Sequence, residues 1–297
     1  MQLAPVLLFT YKRLAQTRQT ISALQQNLLA TESELFIFSD GPKTDNDRQS
    51  VQSVRDYLKT VRGFKKCTVL ESSANKGLAN SIIDGVTQLI NKYGRVIVLE
   101  DDLVSSNNFL SFCNQALDHY KNNPRVFSIG GYSRPMVELD SRATYFTTRA
   151  TSWGWATWKE KWLPVDWTVK DYSSFSGNSA LRKAFNQMGS DMAGMLDRQM
   201  KGDINSWAIR WCYHQFKHGT YTVFPATSKI LNIGFNGDAT HTKERFHRFA
   251  TELDESGNTS FLFSDDIRLD KKIIARFTKP YSIPERVKYK LLNAFVK

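Results

Sequence analysis

Glu100-Asp101-Asp102 places three consecutive carboxylates directly after Val96-Ile97-Val98-Leu99, so four apolar β-formers deliver concentrated negative charge to one point. Adjacent acids repel one another, and a divalent cation held by oxygen ligands offsets that charge. A second reading of the triplet is a helix start, because Asp near a helix N-terminus is stabilised by the backbone dipole. The apolar run itself reads as a strand buried on both faces of a mostly parallel sheet. Ligand sites in such sheets lie beyond the carboxyl ends of the strands, where the three acids fall.

The elements that must position the triplet are legible upstream. Val6 to Thr10, Leu35 to Ser39 and Cys67 to Leu70 read as strands. They alternate with helical patterns over about Leu14 to Leu29, Asp47 to Thr60 and Asn75 to Ile90. Asp40-Gly41-Pro42 is a turn signal at the end of the second strand. This alternation predicts βαβ units in a parallel sheet, with a nucleotide-binding half in the first hundred residues. Beyond Asp102 the pattern becomes mixed, with a helix expected around Asn107 to Tyr120 and a strand at Val126 to Ile129.

Composition bounds the class. The chain has 297 residues, 41% of them hydrophobic, which suffices for a large α/β core. Met1 to Thr10 carries no basic n-region or cleavage site, and no stretch approaches the roughly 20 apolar residues needed to span a bilayer, so a cytosolic chain is expected. Cys67, Cys113 and Cys212 are odd in number and lack metal-type spacing, which predicts reduced thiols. The net charge of +11 is concentrated late: Lys271 to Lys297 holds eight basic residues against the single acid Glu285. After Pro284 a helix would align Val287, Leu291 and Phe295 in one stripe flanked by Arg286, Lys288 and Lys290. Such a helix suits an anionic membrane surface at the inner face of the cytoplasmic membrane, or simply caps a domain with a solvated face. The expected organisation is a catalytic domain over 1–250 and a basic extension over 251–297.

Four of the seven tryptophans, Trp153, Trp155, Trp158 and Trp162, lie within ten residues. The last three share i, i+3, i+7 spacing, which predicts a helix with its aromatic face in the core. Trp153 and Gly154 precede it, where an indole offers a platform for a sugar ring and a glycine permits close approach. They are the ligand-contact candidates of this stretch.

Taken in order, these motifs resemble a glycosyltransferase of GT-A fold, specifically bacterial relatives of N-acetylglucosaminyltransferase I in the family-2-like group. The resemblance spans roughly Pro5 to Thr242 and rests on five short motifs. Leu8-Phe9-Thr10-Tyr11-Lys12-Arg13 matches the first strand, and Phe38-Ser39-Asp40-Gly41 the second. Glu100-Asp101-Asp102 matches the DXD motif, while Ser206 to Trp211 and Asn232 to Thr242 match downstream segments. The resemblance implies an inverting, metal-dependent transferase using a nucleoside-diphosphate sugar, with UDP the implied carrier. In it Arg13 contacts the nucleotide, Asp40 the uracil, and Glu100 and Asp101 the ribose and donor sugar. Asp102 and a late histidine, His241, would hold Mn²⁺ or Mg²⁺.

The chemistry of the residues agrees, because a diphosphate leaving group needs its charge stabilised and one carboxylate with the diphosphate completes a site for a hard cation. Lys76 in Asn75-Lys76-Gly77 is a candidate phosphate contact and equally a residue of a polar helix start. Inversion needs a carboxylate base, and the family's Asp before a Trp is here Ser206 before Trp207. Asp203 is therefore the candidate base, at an expected helix start, with Asp166 and Glu160 in reserve. The expected acceptor is a glycan or lipid-linked glycan in bacterial surface polysaccharide synthesis, with no nucleic-acid partner. The competing readings are a nucleotidyl- or phosphotransferase, which lacks a Gly-rich phosphate loop here, and a non-catalytic module binding carbohydrate or nucleic acid.

Overall fold

The computed structural model describes residues 2–235 and 248–294. Ten strands are present among them: β1 (Val6–Thr10), β2 (Glu34–Ser39), β3 (Lys66–Glu71), β4 (Arg95–Glu100), β5 (Leu103–Ser105), β6 (Val126–Gly130), β7 (Thr144–Thr147), β8 (Trp155–Trp158), β9 (Tyr221–Pro225) and β10 (Ile230–Asn232). Eight form one sheet in the order β3-β2-β1-β4-β8-β6-β9-β7, and β10 pairs with β5 in a small separate ribbon. β3, β2, β1 and β4 run parallel to one another, as the strand–helix alternation predicts. β8 then runs antiparallel between β4 and β6, and β9 is parallel to β6. The chain is thus a mixed α/β protein with a mostly parallel central sheet flanked by helices.

Alternation along the strands builds the two layers. Val6, Leu8, Ile97 and Leu99 face one core, with Ile21 and Leu24 of the Leu14–Gln25 helix and Phe109 and Phe112 of the Phe109–His119 helix. Leu7, Phe9, Val96 and Val98 face the other, against the Leu78–Tyr93, Met192–Lys201 and Trp207–Lys217 helices. Both faces of β4 are therefore dry, which explains why it reads as an unbroken apolar run. Cys67, Cys113 and Cys212 are free thiols.

The tryptophan-rich stretch corrects the expected helix. Trp155–Trp158 is strand β8, followed by a single helical turn at Lys159–Trp162. On a strand, residues three apart point to opposite faces. Trp155 accordingly stacks with Trp162 and Trp207 at ring distances of 5.5 and 4.9 Å on one side of the sheet. Trp158 enters the other core and donates its indole N–H to Leu117 O at 3.1 Å. The expectation of burial holds for all three, and the error lies in the period, because aromatic residues favour a pleated surface as much as a helix face.

The residues following 250 contribute to the same packing. Phe261 and Ile267 join the core on the Leu14–Gln25 side of the sheet. Ile273, Phe277 and Tyr281 pack on Met136, Tyr145 and Phe224. No helix among the described residues is long and apolar enough to cross a membrane.

One buried ion pair ties this later segment to the site. Lys229, 1% exposed, pairs with Asp254, which also accepts from Asn108 Nδ2 at 2.9 Å. Lys229 O accepts Ser106 N at 2.9 Å and Asp254 N donates to Ser228 O at 2.8 Å, so the pair clamps the β5–β10 ribbon immediately after the acidic triplet. Burial penalises the Asp254 carboxylate, but the bonds from Lys229, Ser256 and Asn108 outweigh that and bring its pKa down to about 2. Its native pKa lies below the unfolded value, so this stabilisation is complete above about pH 4 and is lost as pH falls through about 2. Asp254→Asn is predicted to cost about 3–5 kcal/mol in urea unfolding, because it strands a buried ammonium. The double replacement Lys229→Met with Asp254→Leu should recover most of that loss; no recovery would show that the pair's charge is not what matters.

Candidate active site

The four parallel strands have the order β3-β2-β1-β4, so the chain leaves β1 toward one side and later crosses to β4 on the other. The crevice for a ligand opens at this switch point, outside the carboxyl ends of β1 and β4. Arg13 arrives there from β1 and Glu100-Asp101-Asp102 from β4.

Arg13 occupies the N-cap position of the Leu14–Gln25 helix without using its side chain as a cap. Its carbonyl instead accepts Thr17 N at 2.9 Å and Thr17 Oγ1 at 2.7 Å, which fixes the backbone. The guanidinium is thereby free to reach the acids: Nη2 donates to Asp101 Oδ1 at 2.5 Å and to Asp102 Oδ2 at 2.9 Å. Asp101, 4% exposed, also accepts Tyr11 N at 3.3 Å through Oδ2, and its carbonyl accepts Thr20 Oγ1 at 2.9 Å. Burial pushes the Asp101 carboxyl up to about 6, against the pull of Arg13. Burial, with the charges of Asp102 and Asp101, raises Glu100 well above the usual carboxylate range. The helix-start reading of the triplet does not hold, since Asp101 and Asp102 form a turn leading into β5.

Asp102 sits where β5 and β10 meet. Its carbonyl accepts Ile233 N at 2.9 Å, and Asn232 Oδ1 accepts Gly234 N at 2.7 Å. A Cβ on Gly234 would lie 2.1 Å from Asp102 Oδ2, so the glycine makes room for the Asp102 carboxylate that any other residue would displace. Among the described residues, Asp102 Oδ1 accepts no hydrogen bond. Asp102 Oδ1, the oxygen that Arg13 leaves free, is a hard donor of the type that suits a Mg²⁺ or Mn²⁺ ion completed by phosphate and water oxygens. No group of three His, Cys, Asp or Glu side chains converges to form a cage among the described residues. His241 lies outside the described residues.

One strand over, Asp40 follows β2. Its carboxylate accepts Gly41 N and Lys76 N at 2.9 Å through Oδ1 and Gly77 N at 3.0 Å through Oδ2. Three backbone bonds use most of a carboxylate's acceptor sites, so Asp40 pins the turn that opens the Leu78–Tyr93 helix. Lys76 pairs with Asp84 at 3.1 Å on the surface, and both line a cavity of about 160 Å³ with Asp40 and Ser39.

Trp153 and Gly154 stand at the acidic end of the sheet, because β8 is antiparallel and Trp155 pairs with Val98. Gly154 has φ +61°, and a Cβ there would meet Ile230 Cγ1 at 2.5 Å, so the close approach it permits is to β10. The Trp153 ring is held edge-on by Tyr132, Phe249 and Phe235 at 4.6, 5.5 and 5.6 Å. It lines a cavity of about 180 Å³ together with Met192, Met195, Ile209, Thr151 and Tyr281. Thr151 Oγ1 and Arg248 Nε are buried and make no hydrogen bond among the described residues.

Asp203 departs from its expected setting. It follows Gly202, which ends the Met192–Lys201 helix in the left-handed conformation, and its N–H donates to Arg198 O at 2.9 Å. Ser206, not Gly202-Asp203, opens the next helix, accepting Ile209 N at 3.3 Å. The glycine is a helix stop here, a role that Gly plays more often than that of a start. Asp203 is exposed and lines neither cavity. Sequence reasoning missed the partly buried pair of Arg149, which lines the larger cavity, with Asp191 at 2.8 and 3.0 Å. It also gave no separate role to Gly234 within the Asn232 to Thr242 segment, where the signal was a glycine directly after Ile233.

No protein-family model and no curated protein matches the sequence. Among solved structures, the chain is similar to a mannosyltransferase from Pyrobaculum calidifontis in complex with GDP-Man and Mn²⁺, at 13% identity and a TM-score of 0.37 over 53% of this chain and 45% of that one. It is also similar to S. aureus TarS 1-349, at 8% identity and a TM-score of 0.42 over 78% of this chain and 61% of that one. This chain therefore spans less than two thirds of either. Overlaps this loose carry no assignment, and the functional reading rests on the site.

Gly234→Ala is predicted to displace the Asp102 carboxylate while leaving the fold intact. Affinity for Mn²⁺ with nucleotide should fall at least about tenfold with an unchanged melting temperature; unaltered affinity would remove Gly234 from the site.

Proposed function

We propose that this chain transfers a sugar from a nucleoside-diphosphate donor to a saccharide acceptor, with inversion at the anomeric carbon. The observation that carries the reading is the convergence of Arg13, Asp101 and Asp102 at the β1/β4 switch point, with Trp153, which lines an aromatic cavity, leading into β8 at the same end of the sheet. A guanidinium already seated between two carboxylates can turn one of its donors to a diphosphate oxygen. Asp102 would hold the cation through the oxygen that Arg13 does not bond, and His241 is its second proposed ligand. When bound, Mn²⁺ or Mg²⁺ supplies charge stabilisation to the departing diphosphate.

The chain's own groups then have distinct tasks. Asp101, buried and bonded to Tyr11 N, holds Arg13 at the ribose and donor-sugar end of the site. Glu100, at the end of β4, is placed toward the ribose and donor sugar, where its carboxyl can hydrogen-bond a hydroxyl. Asp40 and Lys76 shape the base end of the donor site, for which UDP is proposed from the motif resemblance. Trp153 and Gly154 border the sugar. The acceptor oxygen attacks the anomeric carbon as the bond to the β-phosphate oxygen breaks, and its proton passes to a carboxylate, for which Asp203 is the proposed base. A lipid-linked glycan in bacterial surface polysaccharide assembly, on the cytoplasmic side, is the proposed acceptor context.

Calorimetry with UDP, GDP and CMP, with and without Mn²⁺, is expected to show metal-dependent UDP binding that Asp102→Ala and EDTA abolish. Absence of any nucleotide binding would defeat the transferase reading. Asp203→Asn should leave UDP affinity unchanged and lower turnover by about 10²–10⁴-fold. Unchanged turnover would assign the base elsewhere.

A further inference from the structure

The helix Ile283–Ala294 is packed inside out. None of its twelve residues is buried. Glu285, Tyr289 and Asn293, spaced i, i+4, i+8, are its partly covered residues. Ile283, Val287 and Leu291, at the same spacing on the far side, are 63%, 51% and 52% exposed. A surface helix of a water-soluble body normally does the reverse, turning its apolar stripe to the core. At about 100° per residue, Arg286 and Lys290 flank the stripe on one edge and Lys288 on the other. All three are exposed. An apolar stripe between two cationic edges complements a surface that is oily beneath and anionic above. Another protein face would have to supply carboxylates along both edges.

The helix is firmly joined to the body at its start. Tyr281, 7% exposed, stacks on the Arg149 guanidinium at 3.6 Å, and its carbonyl accepts Ser190 Oγ at 2.6 Å. Arg286 Nη1 reaches the same Ser190 Oγ at 3.2 Å. The stripe therefore has a fixed direction relative to the cavity that Tyr281 and Trp153 line. The sequence pattern anticipated Val287 and Leu291; Ile283 extends the stripe by a turn, and Phe295 lies outside the described residues.

We infer that Ile283–Ala294 docks in the headgroup layer of an anionic bilayer, with Ile283, Val287 and Leu291 inserted and Arg286, Lys288 and Lys290 on the lipid phosphates. Docking holds the Tyr281 wall of the cavity close to the membrane, so the acceptor is a molecule presented at the bilayer surface. That last step rests on the transferase reading; the docking itself does not.

The test is sedimentation of the full chain with phosphatidylcholine vesicles prepared with and without phosphatidylglycerol. Binding is expected only with the anionic lipid. The variant Ile283→Ser, Val287→Ser, Leu291→Ser should lower the partition constant roughly a hundredfold. Arg286→Gln, Lys288→Gln, Lys290→Gln should do so by a similar factor. Both sets alter exposed side chains, and unchanged circular dichroism would verify the fold. A wild-type chain that stays in the supernatant, or a serine variant that binds as the wild type does, overturns the inference. So does a wild-type dimer in sedimentation velocity that the serine variant converts to monomer, which would make a second copy the occupant. Vesicle binding without UDP binding would defeat only the transferase reading, and UDP binding without vesicle binding only the docking.

Discussion

The contact of Arg13 with Asp101 and Asp102 is the constraint on which the rest of the molecule turns. Three carboxylates at the end of a strand buried on both faces have little water to solvate them, and at least part of their charge must be answered from within the chain. The guanidinium does this, and its backbone is held by Thr17 while Asp101 is held by Tyr11 N and Thr20. Ion pairs of this kind add little net stability compared with apolar packing. What the arrangement provides is a fixed, partly answered negative site at a sheet switch point, with a cation that can be drawn away by a stronger anion.

Two structural devices keep that site in register. The parallel half of the sheet sets the relative heights of β1 and β4, pairing Leu8 with Leu99 and Phe9 with Glu100. The β5–β10 ribbon then fixes Asp102 from the other side, and the Lys229–Asp254 pair anchors the ribbon. Residues far apart in sequence thus meet around one carboxylate. Gly234 belongs to this set for what it lacks, and Gly154 for how closely it lets β8 lead in past Ile230.

Much of this was legible in the sequence where the signal is local. Continuous apolar runs marked β1, β2 and β4, turn residues marked their ends, and the triplet marked the site. The aromatic stretch misled because Trp155, Trp158 and Trp162 satisfy a helical period while occupying a strand and a turn, and only the sheet decides which face each takes. Gly202-Asp203 misled because a glycine before a polar residue reads as a stop or a start until the flanking helices are known. β7 and β9 are short runs of β-formers that sequence reasoning passed over, Thr144-Tyr145-Phe146-Thr147 and Tyr221-Thr222-Val223-Phe224, whereas β10, three residues long, owes its strand to pairing with β5. Asp40 was read as a ligand contact, and its three backbone bonds show a structural duty that no pattern of residue types reveals.

The insertion of β8 beside β4 has a consequence for how the chain is made. The four parallel strands are complete once residue 100 has been synthesised, yet β4 acquires its second neighbour only when Trp155–Trp158 arrives. In that interval a Val-Ile-Val-Leu segment stands as an open sheet edge, the kind of surface on which other chains add strands. Arg95 at one end and Glu100-Asp101-Asp102 at the other bracket it with charge, as gatekeepers bracket aggregation-prone segments. The acids of the candidate site would therefore also guard the nascent protein against one of its most apolar segments.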